Sequence, residues 1–228
     1  MLVLALDTAL SQTSVALCDG GRVDAARSEP MERGHSERLF ALVDAVLREA
    51  GLAIGDVDRF AVGIGPGSFT GIRVAIAAAR GFALATGKPV VGVDTLTALA
   101  ASLAEKPNGP VLAAVDARRG EVYAGLFDAH GRVLIPPFAA DADGVFQAVG
   151  DRASVIVGSG AAILAHHAVA SGLRVPPTVD LAGPDPRAIA RLAAGLTPES
   201  RPPAPLYLRP PDAKPQAGIA GLLRQEAG

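Results

Sequence analysis

The stretch Leu2-Val3-Leu4-Ala5-Leu6-Asp7 decides the fold, because an unbroken apolar run that ends on a carboxylate is typical of a central strand buried on both faces. Residues 14–18 and 22–28 are predicted to be two further strands, since the turn sequence Asp19-Gly20-Gly21 separates them. The chain is therefore predicted to open with a three-stranded meander.

The pattern changes after the meander. Apolar residues at helical spacing predict a helix over 36–50 that stops at Gly51, followed by a strand at 59–64, a helix at 71–86, a strand at 89–93 and a helix at 95–104. After the break at 106–110, strands are predicted at 111–117, 121–127 and 132–135. The remaining predictions are a helix at 145–149, a strand at 154–157, and helices at 161–171 and 186–196.

The second half repeats the order of the first: three strands, helix, strand, helix. Asp7 and Asp116 stand at the end of the first strand in each copy. Such a duplication predicts an α/β protein with two similar lobes that face each other across a cleft. We expect an N-terminal lobe at 1–105, a C-terminal lobe at 106–200 and a proline-rich surface strap at 201–228, within which 218–225 has the composition of a short amphipathic helix.

The composition limits the classes of function. Half of the residues are hydrophobic and the formal net charge is -2, so a packed core is expected and RNA would be held only together with a partner. The single cysteine, Cys18, cannot form an internal disulfide, and the opening residues lack a charged signal region. We therefore expect a cytoplasmic protein without a membrane span, since the Ala-rich segment after Gly71 carries Arg73 and Arg80.

A glycine-rich loop, Gly63-Ile64-Gly65-Pro66-Gly67-Ser68-Phe69-Thr70-Gly71, joins a predicted strand to a predicted helix. Its spacing fits neither the dinucleotide nor the P-loop motif, so a phosphate site and a tight packing turn both stay open. The carboxylates at the two strand ends add to this pattern, because they could hold magnesium through water. The candidate residues for a vestigial ATP or ADP cleft with magnesium are Asp7, Thr8, Gly65, Gly67, Asp116 and Arg118.

Catalytic and metal-ligating patterns are weak. His35 opens a predicted helix, but Leu39 stands one turn later, where a second metal ligand is needed. His166 and His167 are adjacent and point about 100° apart on a helix. Gly67-Ser68-Phe69-Thr70-Gly71 does not fit the G-x-S-x-G nucleophile motif. We predict no catalytic residue and no metal site.

Six short motifs follow one another along the chain: LALDTA at 4–9, SVAL at 14–17, GHSE at 34–37, GPGSFTGIRVAIAAARGFA at 65–83, DARRGEVY at 116–123 and PLYLR at 205–209. In this order they resemble the TsaB type of threonylcarbamoyltransferase subunit. The resemblance implies the actin, sugar-kinase and Hsp70 type of fold, also called ribonuclease H-like, which agrees with the duplication. In the catalytic paralogue, TsaD, an H-x-x-x-H pair holds the metal. Here only His35 of that pair is present.

The resemblance also implies partners. It predicts a non-catalytic subunit that pairs with TsaD, works with the ATPase TsaE, forms a homodimer in isolation and meets transfer RNA only through the complex. Interface residues implied by position on the first two long helices, 36–50 and 71–86, are Leu39, Phe40, Val43, Ile72, Ile76 and Phe82. Two alternatives stay open, a free-standing ATP-binding phosphotransferase of the same fold and a metalloprotease of the M22 class.

Overall fold

The computed structural model describes residues 1–20, 22–31 and 34–209. The elements of the first half are the strands β1 (Leu2–Asp7), β2 (Gln12–Asp19) and β3 (Arg22–Pro30), helix α1 (His35–Ala50), strand β4 (Arg59–Gly63), helix α2 (Phe69–Thr86), strand β5 (Val90–Val93) and helix α3 (Thr95–Ala100). A single 3₁₀ turn at Ile54–Asp56 precedes β4.

The second half has the same order of elements. They are β6 (Val111–Asp116), β7 (Glu121–Phe127), β8 (Val133–Asp141), α4 (Ala142–Val149), a 3₁₀ turn (Gly150–Arg152), β9 (Val155–Val157), α5 (Ala161–Ala170), β10 (Thr178–Val179) and α6 (Pro186–Ala194). The structure confirms the predicted duplication and lengthens the repeated unit by one strand and one helix. The sequence pattern does not predict β10, because that strand has only two residues.

The two halves form two five-stranded sheets of identical topology. The strand order is β3-β2-β1-β4-β5 in the first sheet and β8-β7-β6-β9-β10 in the second. In each sheet the first three strands are antiparallel and the last two run parallel to the first strand. Asp7 lies opposite Ser14 on β2, and Asp116 lies opposite Val122 on β7. The two aspartates therefore occupy equivalent positions.

Helices α1 and α2 cover one face of the first sheet. Their buried residues include Leu39, Val43, Ile72 and Ile76, which pack with Phe60 and the other apolar residues of that face. Gly34 precedes α1 and Gly51 ends it, both in the left-handed conformation that glycine adopts without strain. Helices α4 and α5 cover the corresponding face of the second sheet.

The last helix of each half crosses to the other lobe. Leu96 and Leu99 of α3 pack in the core of the second sheet with the buried β6 residues Val111, Ala113 and Val115. In return, Ile189 and Ala193 of α6 pack on the other face of the first sheet with Val3, Ala5, Ala16, Cys18, Ala61, Val91 and Val93. Each lobe therefore depends on a helix from the other half of the sequence.

The predicted lobe boundary at residues 105 and 106 falls between the two sheets, but the exchanged helices lie across it. The division into domains at 1–105 and 106–200 therefore stays a prediction. Of the predicted strap, residues 201–209 are described, and the amide of Leu206 donates to the Ile64 carbonyl at 2.8 Å. The predicted helix at 218–225 lies outside the described residues.

Helix α2 is the one helix in the described part of the chain that is long and apolar enough to cross a membrane by length and composition. A core helix of a globular protein has the same composition. One side of α2 is buried against the first sheet through Ile72, Ala75 and Ile76, while Arg73 and Arg80 are exposed on the other.

Candidate functional site

A cleft of about 620 Å³ lies between the two lobes. Three of the six predicted nucleotide-site residues, Gly67, Asp116 and Arg118, line this cleft, and Asp7, Thr8 and Gly65 do not. The structure thus brings half of the predicted set together. The other lining residues are Ala9, Leu10, Ser11, Met31, His35, Ser68, Val115, Ala117, Tyr123, Ser159 and Ala182.

Asp7 is fully buried at the end of β1. Its Oδ2 atom accepts a hydrogen bond from the Ala9 amide at 3.4 Å, and its Oδ1 atom has no partner among the described residues. Burial away from water raises the pKa of this carboxyl from 3.8 to about 7. A carboxyl enclosed in this way is poorly placed to hold a hydrated magnesium ion, because that role needs access to water.

The glycine-rich loop is packed against the chain itself. A Cβ atom on Gly63 would lie 1.9 Å from Asp7 Oδ1, one on Gly67 would lie 2.2 Å from the Ala9 carbonyl oxygen, and one on Gly71 would lie 1.9 Å from the Thr8 carbonyl oxygen. These contacts favour the packing-turn interpretation of the motif, because the space that the glycines leave is filled by the end of β1 and the connection that follows it.

The start of α2 is fixed by the same connection. The Ser68 amide donates to the Ala9 carbonyl at 2.7 Å, and the Ser68 hydroxyl caps α2 by accepting from the Gly71 amide at 3.2 Å. The Thr8 hydroxyl donates to the Gly71 carbonyl at 2.6 Å. Thr8 therefore positions the helix and lies outside the cleft.

Asp116 and Arg118 form a compact turn on the other wall. Asp116 Oδ1 accepts from the Arg118 amide at 2.7 Å, and the guanidinium of Arg118 lies 3.2 Å from Asp116 Oδ2. Arg118 and Arg119 both have positive φ, which is uncommon for residues with side chains. Arg209 supports the turn by donating to the Ala117 carbonyl at 3.0 Å and by pairing with Glu121.

His35 lines the cleft from the start of α1. Its Nδ1 atom lies 2.7 Å from the Thr13 hydroxyl, and partial burial lowers the pKa of its imidazole. Leu39, one turn later, is completely buried in the core under α1. Leucine also has no atom that can ligate a metal ion, so His35 has no second ligand at this position. The ranges 1–20, 22–31 and 34–209 contain no cluster of three or more His, Cys, Asp or Glu side chains that is arranged to hold a metal ion.

Ser159 is a cleft residue that the sequence reasoning missed. Its hydroxyl accepts from the Asp116 amide at 3.2 Å. It lies in Gly158-Ser159-Gly160, which follows β9 as the glycine-rich loop follows β4. A Cβ atom on Gly158 would lie 2.4 Å from the Ala114 carbonyl oxygen, so this loop also packs on the first strand of its lobe. The duplication is the signal that could have identified it.

The predicted interface residues fall into two groups. Leu39, Val43, Ile72 and Ile76 are buried within the chain, whereas Phe40 is 52% exposed and Phe82 is partly buried. The rings of Phe40 and Phe82 meet edge to face with centroids 5.8 Å apart. Only the second group reaches the surface, and its role in an interface stays a prediction.

The duplicated lobes, the exchanged helices and the cleft define a protein of the actin-like ATPase fold class. An activator of 2-hydroxyisocaproyl-CoA dehydratase from Clostridium difficile shares this fold, with a TM-score of 0.51 over 85% of this chain and 94% of that chain at 12% identity. A Pseudomonas aeruginosa structure described as similar to the peptidase YeaZ matches with a TM-score of 0.78 and 33% identity, over 91% of this chain and 99% of that one.

Sequence comparisons give the family. Residues 28–167 match the model "TsaD: tRNA N6-adenosine threonylcarbamoyltransferase". The Escherichia coli tRNA threonylcarbamoyladenosine biosynthesis protein TsaB is 45% identical over 54% of this chain and 53% of that protein. An uncharacterized protein of Mycobacterium tuberculosis is 35% identical over 94% of this chain and 95% of that protein. The chain belongs to the TsaB family, and its match spans about half the length of the E. coli relative.

Proposed function

We propose that this chain is the non-catalytic subunit that pairs with the catalytic paralogue TsaD and, together with the ATPase TsaE, supports transfer of a threonylcarbamoyl group to the adenosine next to the anticodon of transfer RNA. The names of the TsaB relatives support the pathway. The non-catalytic role that we propose for this chain rests on the residues at the start of α1.

The observation that carries the non-catalytic role is the identity of residue 39, a leucine at the place where a metal pair with His35 needs a second ligand. An H-x-x-x-H metal pair needs both side chains on the same side of the helix, facing one ion. His35 faces the cleft and Leu39 is buried among core residues. Position 39 is on the correct face for the second ligand, but its leucine has no atom that can bind a metal ion and instead packs in the core.

The helices α1 and α2 supply the surface for the paralogue. Leu84 is 87% exposed and Phe40 is 52% exposed, and Ala41 and Ala77 add small exposed side chains to the same helices. Exposed apolar residues on neighbouring helices suit association with a second pair of helices. The modest net charge of -2 fits a subunit that meets RNA only in the complex, in the cytoplasm.

The test is reconstitution. The chain and its TsaD paralogue are purified separately, mixed, and their mass in solution is measured; we expect a one-to-one complex. Modification of transfer RNA is then followed with TsaE, ATP and the threonylcarbamoyl adenylate, and we expect it to require both proteins. A chain that fails to bind folded TsaD, or that modifies transfer RNA without it, contradicts the proposal.

Two matched variants test the surface. Leu84→Glu places a charge on the exposed side of α2 and is expected to weaken the complex at least about tenfold while the fold is kept. Val169→Glu is the control, because Val169 is 70% exposed on α5 in the other lobe.

Two further measurements test the alternative functions. Calorimetry measures binding of ATP with magnesium; absence of binding, or binding that Asp7→Ala leaves unchanged, contradicts a phosphotransferase. Metal analysis that finds no stoichiometric zinc or iron contradicts a metalloprotease.

A further inference from the structure

The connection between α3 and β6 contains the only asparagine of the chain, Asn108, which stands directly before Gly109. The side chain of Asn108 is exposed to solvent. A glycine in the next position favours attack of its backbone nitrogen on the asparagine side chain, because glycine has no Cβ atom to obstruct the approach and its backbone is the least restricted. The sequence makes this pair reactive, and the surrounding structure decides whether the reaction is open to it.

The backbone around this pair has few restraints. Within the ranges 1–20, 22–31 and 34–209, residues 103–109 make no backbone hydrogen bond, so the Gly109 amide has no acceptor. The chain is fixed again at Pro110, whose carbonyl accepts from the Ser154 amide at 2.8 Å and from the Ser154 hydroxyl at 2.9 Å. The Gly109 nitrogen is therefore free to react, because no hydrogen bond has to break before it moves.

The pair Asp143-Gly144 in α4 offers a matched comparison. The side chain of Asp143 is 73% exposed, so exposure does not distinguish it from Asn108. The Gly144 amide, however, donates to Asp141 Oδ1 at 2.9 Å in the first turn of the helix. Before the Gly144 nitrogen attacks the side chain of residue 143, this bond has to break and the helix has to open locally. The two pairs therefore differ in the state of the glycine amide.

We propose that Asn108 is a site of spontaneous deamidation. The deprotonated Gly109 nitrogen attacks the side-chain carbonyl carbon of Asn108, the bond from that carbon to the side-chain nitrogen breaks, and ammonia leaves as a cyclic imide closes. Water then opens the imide at either carbonyl and gives aspartate or isoaspartate. Both products carry an added negative charge, and isoaspartate also adds a methylene group to the backbone between α3 and β6. The modification is independent of the proposed function.

Mass spectrometry of aged protein tests the modification. The folded chain is incubated in mildly alkaline buffer, digested and compared with fresh protein. We expect the peptide that contains Asn108 to gain about 1 Da and to separate into two chromatographic peaks, for aspartate and isoaspartate. Asn108→Gln is the control, because its longer side chain has to close a larger ring that forms more slowly, and its peptide is expected to keep its mass over the same time.

Asp143→Asn separates the effect of structure from that of sequence. It creates a second asparagine-glycine pair, and Asp143 contacts His167 and not the Gly144 amide, so that amide stays bound. We expect the new side chain to deamidate at least about tenfold more slowly than Asn108 in the folded protein, and at a similar rate in urea. Equal rates in the folded protein, or an Asn108 peptide that gains mass only in urea, overturns the proposal.

Discussion

Asp7 and Asp116 occupy equivalent positions in the two lobes but have different surroundings. Asp7 is fully buried beside Gly63, whereas the side chain of Asp116 is 29% exposed in the cleft. The sequence predicts equivalent roles for them, because both follow an apolar strand. No local pattern distinguishes them, since the burial of Asp7 depends on packing against distant parts of the chain.

The raised pKa of Asp7 predicts that stability falls as pH rises. The folded protein keeps the proton up to a pH of about 7, whereas the unfolded chain releases it near 3.8, so the folded state is favoured at low pH and loses this advantage as pH rises towards 7. The difference corresponds to about 4 kcal/mol. We expect Asp7→Asn to raise the melting temperature at pH 8 and to change it little at pH 4.

The control for this prediction is Asp116→Asn at the equivalent position of the second lobe. Thermal unfolding of the three proteins is followed from pH 4 to pH 8. If the Asp7→Asn protein loses stability with rising pH as steeply as the unchanged chain does, Asp7 is not the group responsible.

Two glycines of α2 are predicted to respond to alanine in opposite directions. Gly71→Ala brings a Cβ atom within 1.9 Å of the Thr8 carbonyl oxygen, whereas Gly81→Ala meets nothing within 4 Å. We expect Gly71→Ala to lower the free energy of unfolding by more than about 2 kcal/mol and Gly81→Ala to raise it by about 0.5–1 kcal/mol. Urea unfolding measures both free energies. If the two substitutions change the free energy of unfolding equally, the backbone around Thr8 must shift to accommodate the new Cβ atom, which contradicts the prediction.

At the scale of elements, most helices and strands could be predicted because their apolar periodicity and their caps are local. The predicted strand at 132–135 is too short, since β8 runs over Val133–Asp141 through Pro136 and Pro137. Proline is tolerated there because β8 is an edge strand. The exchange of α3 and α6 and the cleft position of His35 depend on contacts between distant residues, and no local signal carries them.

Arg209 is predicted to hold the 201–209 segment in place. Its guanidinium donates to the Ala117 carbonyl and pairs with Glu121, which joins the segment to the second lobe. We expect Arg209→Ala to increase hydrogen exchange at the Leu206 amide and to lower stability by about 1–2 kcal/mol. Arg201→Ala, at an exposed position of the same segment, is the control. If hydrogen exchange at the Leu206 amide is unchanged in Arg209→Ala, contacts other than those of Arg209 hold the segment in place.

At the scale of the molecule, the exchanged helices predict that neither half folds alone. A fragment of residues 1–105 lacks α6 and leaves Val3, Ala5 and Val91 uncovered, and a fragment of 106–200 lacks α3. We expect each fragment to lack a cooperative thermal transition and the mixture to regain one. The full chain is expected to unfold in a single calorimetric transition. A cooperative transition in the 1–105 fragment alone would contradict the prediction.

The crossing of α6 also has a consequence for synthesis on the ribosome. The first sheet is complete once Val93 has been made, but the helix that covers its second face begins at Pro186. At roughly 5 to 20 residues per second, the nascent chain holds that apolar face open for roughly 5 to 20 s. The N-terminal lobe is therefore a candidate for chaperone binding during translation, before the second half of the protein exists to protect it.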